Sequence, residues 1–210
     1  MSRRPRAYDV PTGLELVFGP LRRARFAIAT IAVIHIVGVL TGAVMVRSQN
    51  RFALHFMDKM VSTAWKTSPI LHDLGEGAPF KAASLDTLGN ASSALGELGG
   101  GYCLPVGYAM AFCRGWIGGI VSVDYNGQNR LTTQAATEYY LAVMVLQLIG
   151  FILAGGAGIN IGLASFCKTA YSRVKWSVPP RQAVTDAIII YLCSLPFFAA
   201  GSLIEFTWKQ

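Results

Sequence analysis

YYLAVMVLQLIGFILAGGAGINIGLASFC, residues Tyr139–Cys167, carries no formal charge over its whole length. It is longer than the roughly 20 residues that cross the hydrocarbon core of a bilayer. Small residues recur at every fourth position, Gly150, Ala154, Gly158 and Gly162, which places them on one stripe of a helix. A stripe without bulky side chains lets a second helix approach closely. The stretch therefore reads as a membrane-crossing helix with a packing face. It implies a location and a way of making contacts, and no chemistry.

Working outward, the 210-residue chain is 53% hydrophobic and only 14% charged, against about 25% charged for soluble domains. The composition is that of an integral membrane protein. A net charge of +7 would suggest a nucleic-acid surface on a soluble domain, but here the basic residues flank apolar segments and read as topology signals. Arg3, Arg4, Arg6, Arg22, Arg23 and Arg25 crowd residues 1–25, and an apolar run follows over 26–46. The positive-inside rule then puts the N-terminus in the cytoplasm. The run exceeds a signal-peptide core and no small-x-small site follows it, so cleavage is not expected.

Residues 47–93 are mixed and mostly polar, and read as the extracytoplasmic segment. Within it Phe52, Phe56 and Met60 repeat every fourth residue, predicting an amphipathic helix over 50–66 with Trp65 at an interface. Residues 94–210 read as a glycine-rich transmembrane bundle with a basic cytoplasmic loop at 168–182. In residues 94–123 the apolar run is interrupted by Arg114. An arginine at the bilayer centre is costly, so a break at Arg114-Gly115 is expected, with 115–123 as a short or re-entrant segment. That gives an all-α polytopic bundle of about five membrane segments with the C-terminus outside. The last segment, about 183–206, contains Pro196, expected to kink it.

With the segments laid out, the chain resembles the stage II sporulation protein M family of prokaryotic membrane proteins. The resemblance is carried by Gly38-Val39-Leu40-Thr41-Gly42-Ala43-Val44-Met45-Val46 with Ser48 in the first segment, Leu104-Pro105 in the second, and Arg114-Gly115 with Gly118 and Gly119 after it. It continues with Glu138 ahead of Leu153-Ala154-Gly155-Gly156-Ala157-Gly158 and Gly162, and with Leu203-Ile204-Glu205 at the end. No such motif covers 47–93. What the resemblance implies is a non-enzymatic component of a prokaryotic cytoplasmic (inner) membrane; members in sporulating cells look like scaffolds for cell-wall-degrading partners, a role not carried over here.

His35, with Gly38-x-x-x-Gly42 just after it, could ligate a metal, haem or chlorophyll, or be a neutral interhelical hydrogen-bonding group. The second reading is the expected one. Glu97, Glu138, Asp186 and Glu205 are expected near segment ends, and Gln147 and Asn160 to make interhelical hydrogen bonds. His55, Asp58, His72, Asp73 and Glu76 match no established ligand spacing, so neither metal nor cofactor is expected. Cys103, Cys113, Cys167 and Cys193 form no C-x-x-C pair and read as buried free thiols. Asn90-Ala91-Ser92 fits the glycosylation sequon, a short match common by chance. No G-x-S-x-G, H-E-x-x-H or Walker sequence is present.

The expectation is a scaffold or accessory subunit acting through helix contacts. Its partners would be other membrane proteins or a second copy, within a lipid bilayer, with neither nucleic acid nor a small-molecule substrate. A channel or transporter with a broken helix at Arg114 and a pigment- or haem-bearing subunit using His35 are the alternatives.

Overall fold

The computed structural model describes residues 13–123, 134–166 and 180–207, all-helical apart from short turns. In chain order the helices are α1 (Gly13–Arg47), α2 (Arg51–Thr67), α3 (Pro69–Gly75), α4 (Pro79–Tyr102), α5 (Leu104–Val121), α6 (Gln134–Phe166) and α7 (Pro180–Thr207). Four of them, α1, α5, α6 and α7, are long and apolar enough to cross a membrane.

Prolines and capping groups set several of the boundaries. Asn50 caps α2, its side-chain oxygen accepting the backbone N–H groups of Phe52 and Ala53 at 3.1 and 3.2 Å. Gly77, with φ +76°, makes the turn into α4, and Pro79 opens that helix where its missing N–H costs nothing. The break in the glycine-rich stretch falls at Cys103, which is extended between α4 and α5. Pro105 is the reason. It has no N–H to give to Gly101, and its ring would collide with that carbonyl if α4 continued. The break expected at Arg114 is thereby corrected: α5 runs unbroken through Arg114 and Gly115, and 115–123 is not a separate segment. Pro20 and Pro196 lie inside α1 and α7, which continue through them.

The helices alternate in direction, as side-chain neighbours show. α1 and α5 lie parallel: a Cβ added at Gly38 would meet Phe112 and Trp116, and one at Gly42 would meet Trp116 and Ile120. α4 and α6 are also parallel, Gly158 abutting Leu98 and Gly162 abutting Gly101 and Tyr102. α7 runs against both, with Phe198 beside Gly150 and Ser202 beside Asp86. α4, with its first fifteen residues in the stretch read as extracytoplasmic, is thus a full member of the bundle, wedged between α6 and α7.

The core is built where these directions cross. Ile31, Ala111 and Ile159 join α1, α5 and α6; Ala94, Phe151, Ala154 and Phe198 join α4, α6 and α7. α2 closes one end by burying Ala53 and Met57 against Val46, Ile120 and Val123. The stripe of Phe52, Phe56 and Met60 is not the buried one. Phe52 and Phe56 lie instead on the Trp116 ring, with centroids 5.7 and 5.0 Å away. Outward-facing Val33, Val37, Leu40 and Val44 give α1 an apolar outer surface, as expected of a lipid-facing helix.

Candidate functional site

The packing stripe faces inward. Gly150 is covered by the Phe198 ring, Ala154 is buried, and Gly158 and Gly162 sit against the backbone of α4. Gly38 and Gly42 sit against α5, where Gly115 and Gly119 receive the α1 backbone at His35 and Val39 in return. All six packing residues are therefore used within the chain's own bundle. At Gly38, Gly42, Gly158 and Gly162 glycine is required because any side chain would meet backbone atoms, which cannot swing aside.

These close approaches bring polar groups together at mid-bundle. Arg114 of α5 donates from Nε to Glu97 of α4, a carboxylate that is 2% exposed. The guanidinium lies over the Phe151 ring of α6, 3.7 Å from its centroid. On α1, His35 is fully buried, its Nδ1 3.2 Å from the Ile31 carbonyl. A carbonyl only accepts, so Nδ1 donates, and the Nε2 of a neutral ring then bears a lone pair. That Nε2, Glu97 Oε2 and Asn160 Nδ2 are buried without a hydrogen-bond partner among the described residues. Glu97 Oε2 and Ile31 both line the space beside Gly155, one turn along α1 from His35. Arg114 and Glu97 thus form a polar pair between α5 and α4 with α6 beside it, and His35 is buried on α1 where its backbone meets Gly115, the residue after Arg114. Glu97, expected near a segment end, lies five residues before the end of α4, and its pairing, not legible in the sequence, lets an arginine sit inside a continuous helix.

A second cluster lies toward the end of α7. Glu205 accepts from Gln147 Nε2 at 3.0 Å, and its backbone carbonyl accepts from Tyr139. Asp86 accepts from Ser202 at 2.7 Å and from Asn90 at 2.9 Å. Asn90, the sequon residue, is therefore engaged inside the fold. Glu138 is exposed at the start of α6. At the other end, buried Asp186 takes both hydrogen bonds of Arg23, at 2.7 and 2.6 Å.

Outside the four apolar helices, His72, Asp73 and Glu76 have ligand atoms within 4.8 Å of one another. His55 and Asp58 are not part of that group. Asp73 is already engaged by Lys81 Nζ at 2.8 Å, which offsets the charge a cation would need. Cys103 and Cys113 are exposed and Cys193 half-buried, correcting the expectation of buried thiols; Cys167 and most of the basic loop 168–182 lie outside the described residues.

One feature was missed in the sequence. Gly89, Ser92, Gly96 and Gly99 follow at steps of three and four along α4 and face outward. A Cβ added at any of the three glycines would meet nothing within 4 Å. The spacing was legible, but only once residues 79–93 were known to be helical.

No family model, curated protein or solved structure matches this chain.

Proposed function

We propose that the protein is a non-enzymatic, multi-pass membrane component that works by helix–helix contact, as a scaffold or accessory subunit. The observation that carries this reading is the outward face of α4. A lipid-facing helix gains nothing from a strip of glycine and serine, whereas a neighbouring helix packs closely on one. Exposed Leu88 and Leu95 border the strip and supply apolar contact. The partner is a transmembrane helix, of a second copy or of a larger complex.

In this reading α1, α4, α5, α6 and α7 are five crossings, with α5, at 18 residues, the short one. The N-terminus lies in the cytoplasm and the C-terminus outside a prokaryotic inner membrane. Arginine-rich residues 1–25 and the basic loop before α7 then share the cytoplasmic side, in keeping with the positive-inside rule. The motif order resembling the stage II sporulation protein M family belongs to the same proposal.

The test is Gly96→Leu with Gly99→Leu. Both positions are open, so the variant should fold as the wild type and lose its oligomer or co-purifying partner in mild detergent. Unchanged assembly would sink the reading. The buried pair of Arg114 and Glu97 favours transport as the second reading, since intramembrane ionisable groups mark ion and substrate paths. Flux in proteoliposomes that is abolished by Arg114→Leu would replace the first reading with it.

A further inference from the structure

Where the first turns of α1 meet the first turns of α7, the bundle opens into a cavity of about 700 Å³, within the range of about 300–1,000 Å³ of small-ligand sites. Arg22, Arg23 and Arg181 line it, with Thr185 and Gln182 beside them. Arg23 is committed to buried Asp186. Arg22 and Arg181 are exposed and have no ion-pair partner among the described residues. Glu15 shares the rim, so among the described lining residues two arginines, Arg22 and Arg181, stand against one acid once the Arg23–Asp186 pair is set aside. An anion suits that balance.

The surroundings select the kind of anion. Leu16 and Phe18 on the cavity wall are exposed apolar side chains. Further along α1, Phe26, Ala29 and Val33 continue the stripe of Arg22 at steps of three and four residues. With Tyr108 of α5 they line an almost wholly apolar groove of about 410 Å³. Arg22 and Ala29 are seven residues apart, about 10 Å along the helix, so a molecule with a charged head and an apolar tail can occupy both. Free phosphate would use the first cavity alone.

We propose that this end of the bundle binds an anionic phospholipid, its phosphate between Arg22 and Arg181 and an acyl chain along Phe26, Ala29 and Val33. Basic pockets between helices at the cytoplasmic face suit such headgroups. The inference rests on the chain spanning a membrane, and does not depend on what packs against α4.

The experiment uses the full chain in mild detergent, titrated with phosphatidylglycerol, phosphatidylcholine or inorganic phosphate and followed by native mass spectrometry. Phosphatidylglycerol should bind in preference to phosphatidylcholine. Arg22→Gln with Arg181→Gln should weaken it by roughly thirtyfold, from the contribution expected of two basic residues at an anionic surface. Ala29→Trp, which fills the groove, should weaken it too while leaving inorganic phosphate unaffected. Equal binding of the two lipids, or an unchanged double variant, would overturn the proposal. So would displacement of the lipid by inorganic phosphate at equal concentration, which would make the site one for free phosphate. Extraction of the chain from membranes by alkaline carbonate would instead overturn the membrane reading beneath it.

Discussion

Replacing Glu97 by alanine removes the buried carboxylate that accepts the Arg114 Nε–H and leaves a guanidinium facing α4 without its counter-ion. Breaking a buried ion pair by deleting one partner costs about 3–5 kcal/mol. Two features lower that figure here. The Arg114 side chain is 33% exposed, and its stacking on Phe151 survives the change, a contact of about 0.5–2 kcal/mol. The expected loss for Glu97→Ala is therefore about 2–4 kcal/mol. Arg114→Ala should cost more, about 4–5 kcal/mol, because it strands a carboxylate that is almost fully buried. Glu97→Leu combined with Arg114→Leu leaves no charge behind and should fall within about 1 kcal/mol of the wild type. The signature is a double variant more stable than either single one, a strong departure from additivity. Unfolding by SDS in mixed micelles, followed by far-ultraviolet circular dichroism, measures all three. Single losses below about 1 kcal/mol, or a double loss equal to the sum of the singles, would refute the pairing and the mid-bundle placement of Arg114.

Three further outcomes follow from the packing. Gly158→Leu should lose about 1–3 kcal/mol or more in the same assay, because the new side chain meets the Leu98 backbone. Asp186→Asn should cost about 1.5–3 kcal/mol by weakening both hydrogen bonds to Arg23, and a wild-type melt would show that α1 and α7 do not depend on that tie. At the α3–α4 turn, Lys81 Nζ donates to Asp73 at 2.8 Å and ties α3 to the start of α4. Lys81→Met should therefore speed hydrogen exchange in α3, and unchanged exchange would show that α3 does not depend on that tie.

How much of this was legible in the sequence depends on which contacts a pattern records. The charge-free run from Tyr139 to Cys167 and the four-residue steps of Gly150, Ala154, Gly158 and Gly162 marked a helix and its packing face. They could not say that the face is filled by α4 and by Phe198, since that is fixed by residues far along the chain in either direction, Leu98 and Gly101 before it and Phe198 after it. Gly38 and Gly42 were legible for the same reason and had the same gap. Arg114 was misread because the cost of a buried charge was weighed without its partner: Glu97, 17 residues earlier, comes opposite it only after the chain reverses at Cys103. Pro105 held the local signal for that reversal. The α2 helix was placed within a residue or so of its true ends, but its buried side was assigned to the larger side chains. Small Ala53 and flexible Met57 are what fit between Val46 and Ile120. The outward strip of α4 stayed hidden because Lys81, Asp86 and two prolines made residues 47–93, which hold its first members Gly89 and Ser92, look uniformly extramembrane and cut them off from Gly96 and Gly99.

Cross-linking from α4 in native membranes tests the central claim most directly. In a background without other cysteines, Gly96→Cys should give a disulfide-linked or bifunctionally linked product through the outward face, while Val33→Cys on the lipid-facing side of α1 gives none. Equal cross-linking at both positions, or none at Gly96→Cys, would contradict the account that the protein works by presenting α4 to a neighbouring helix.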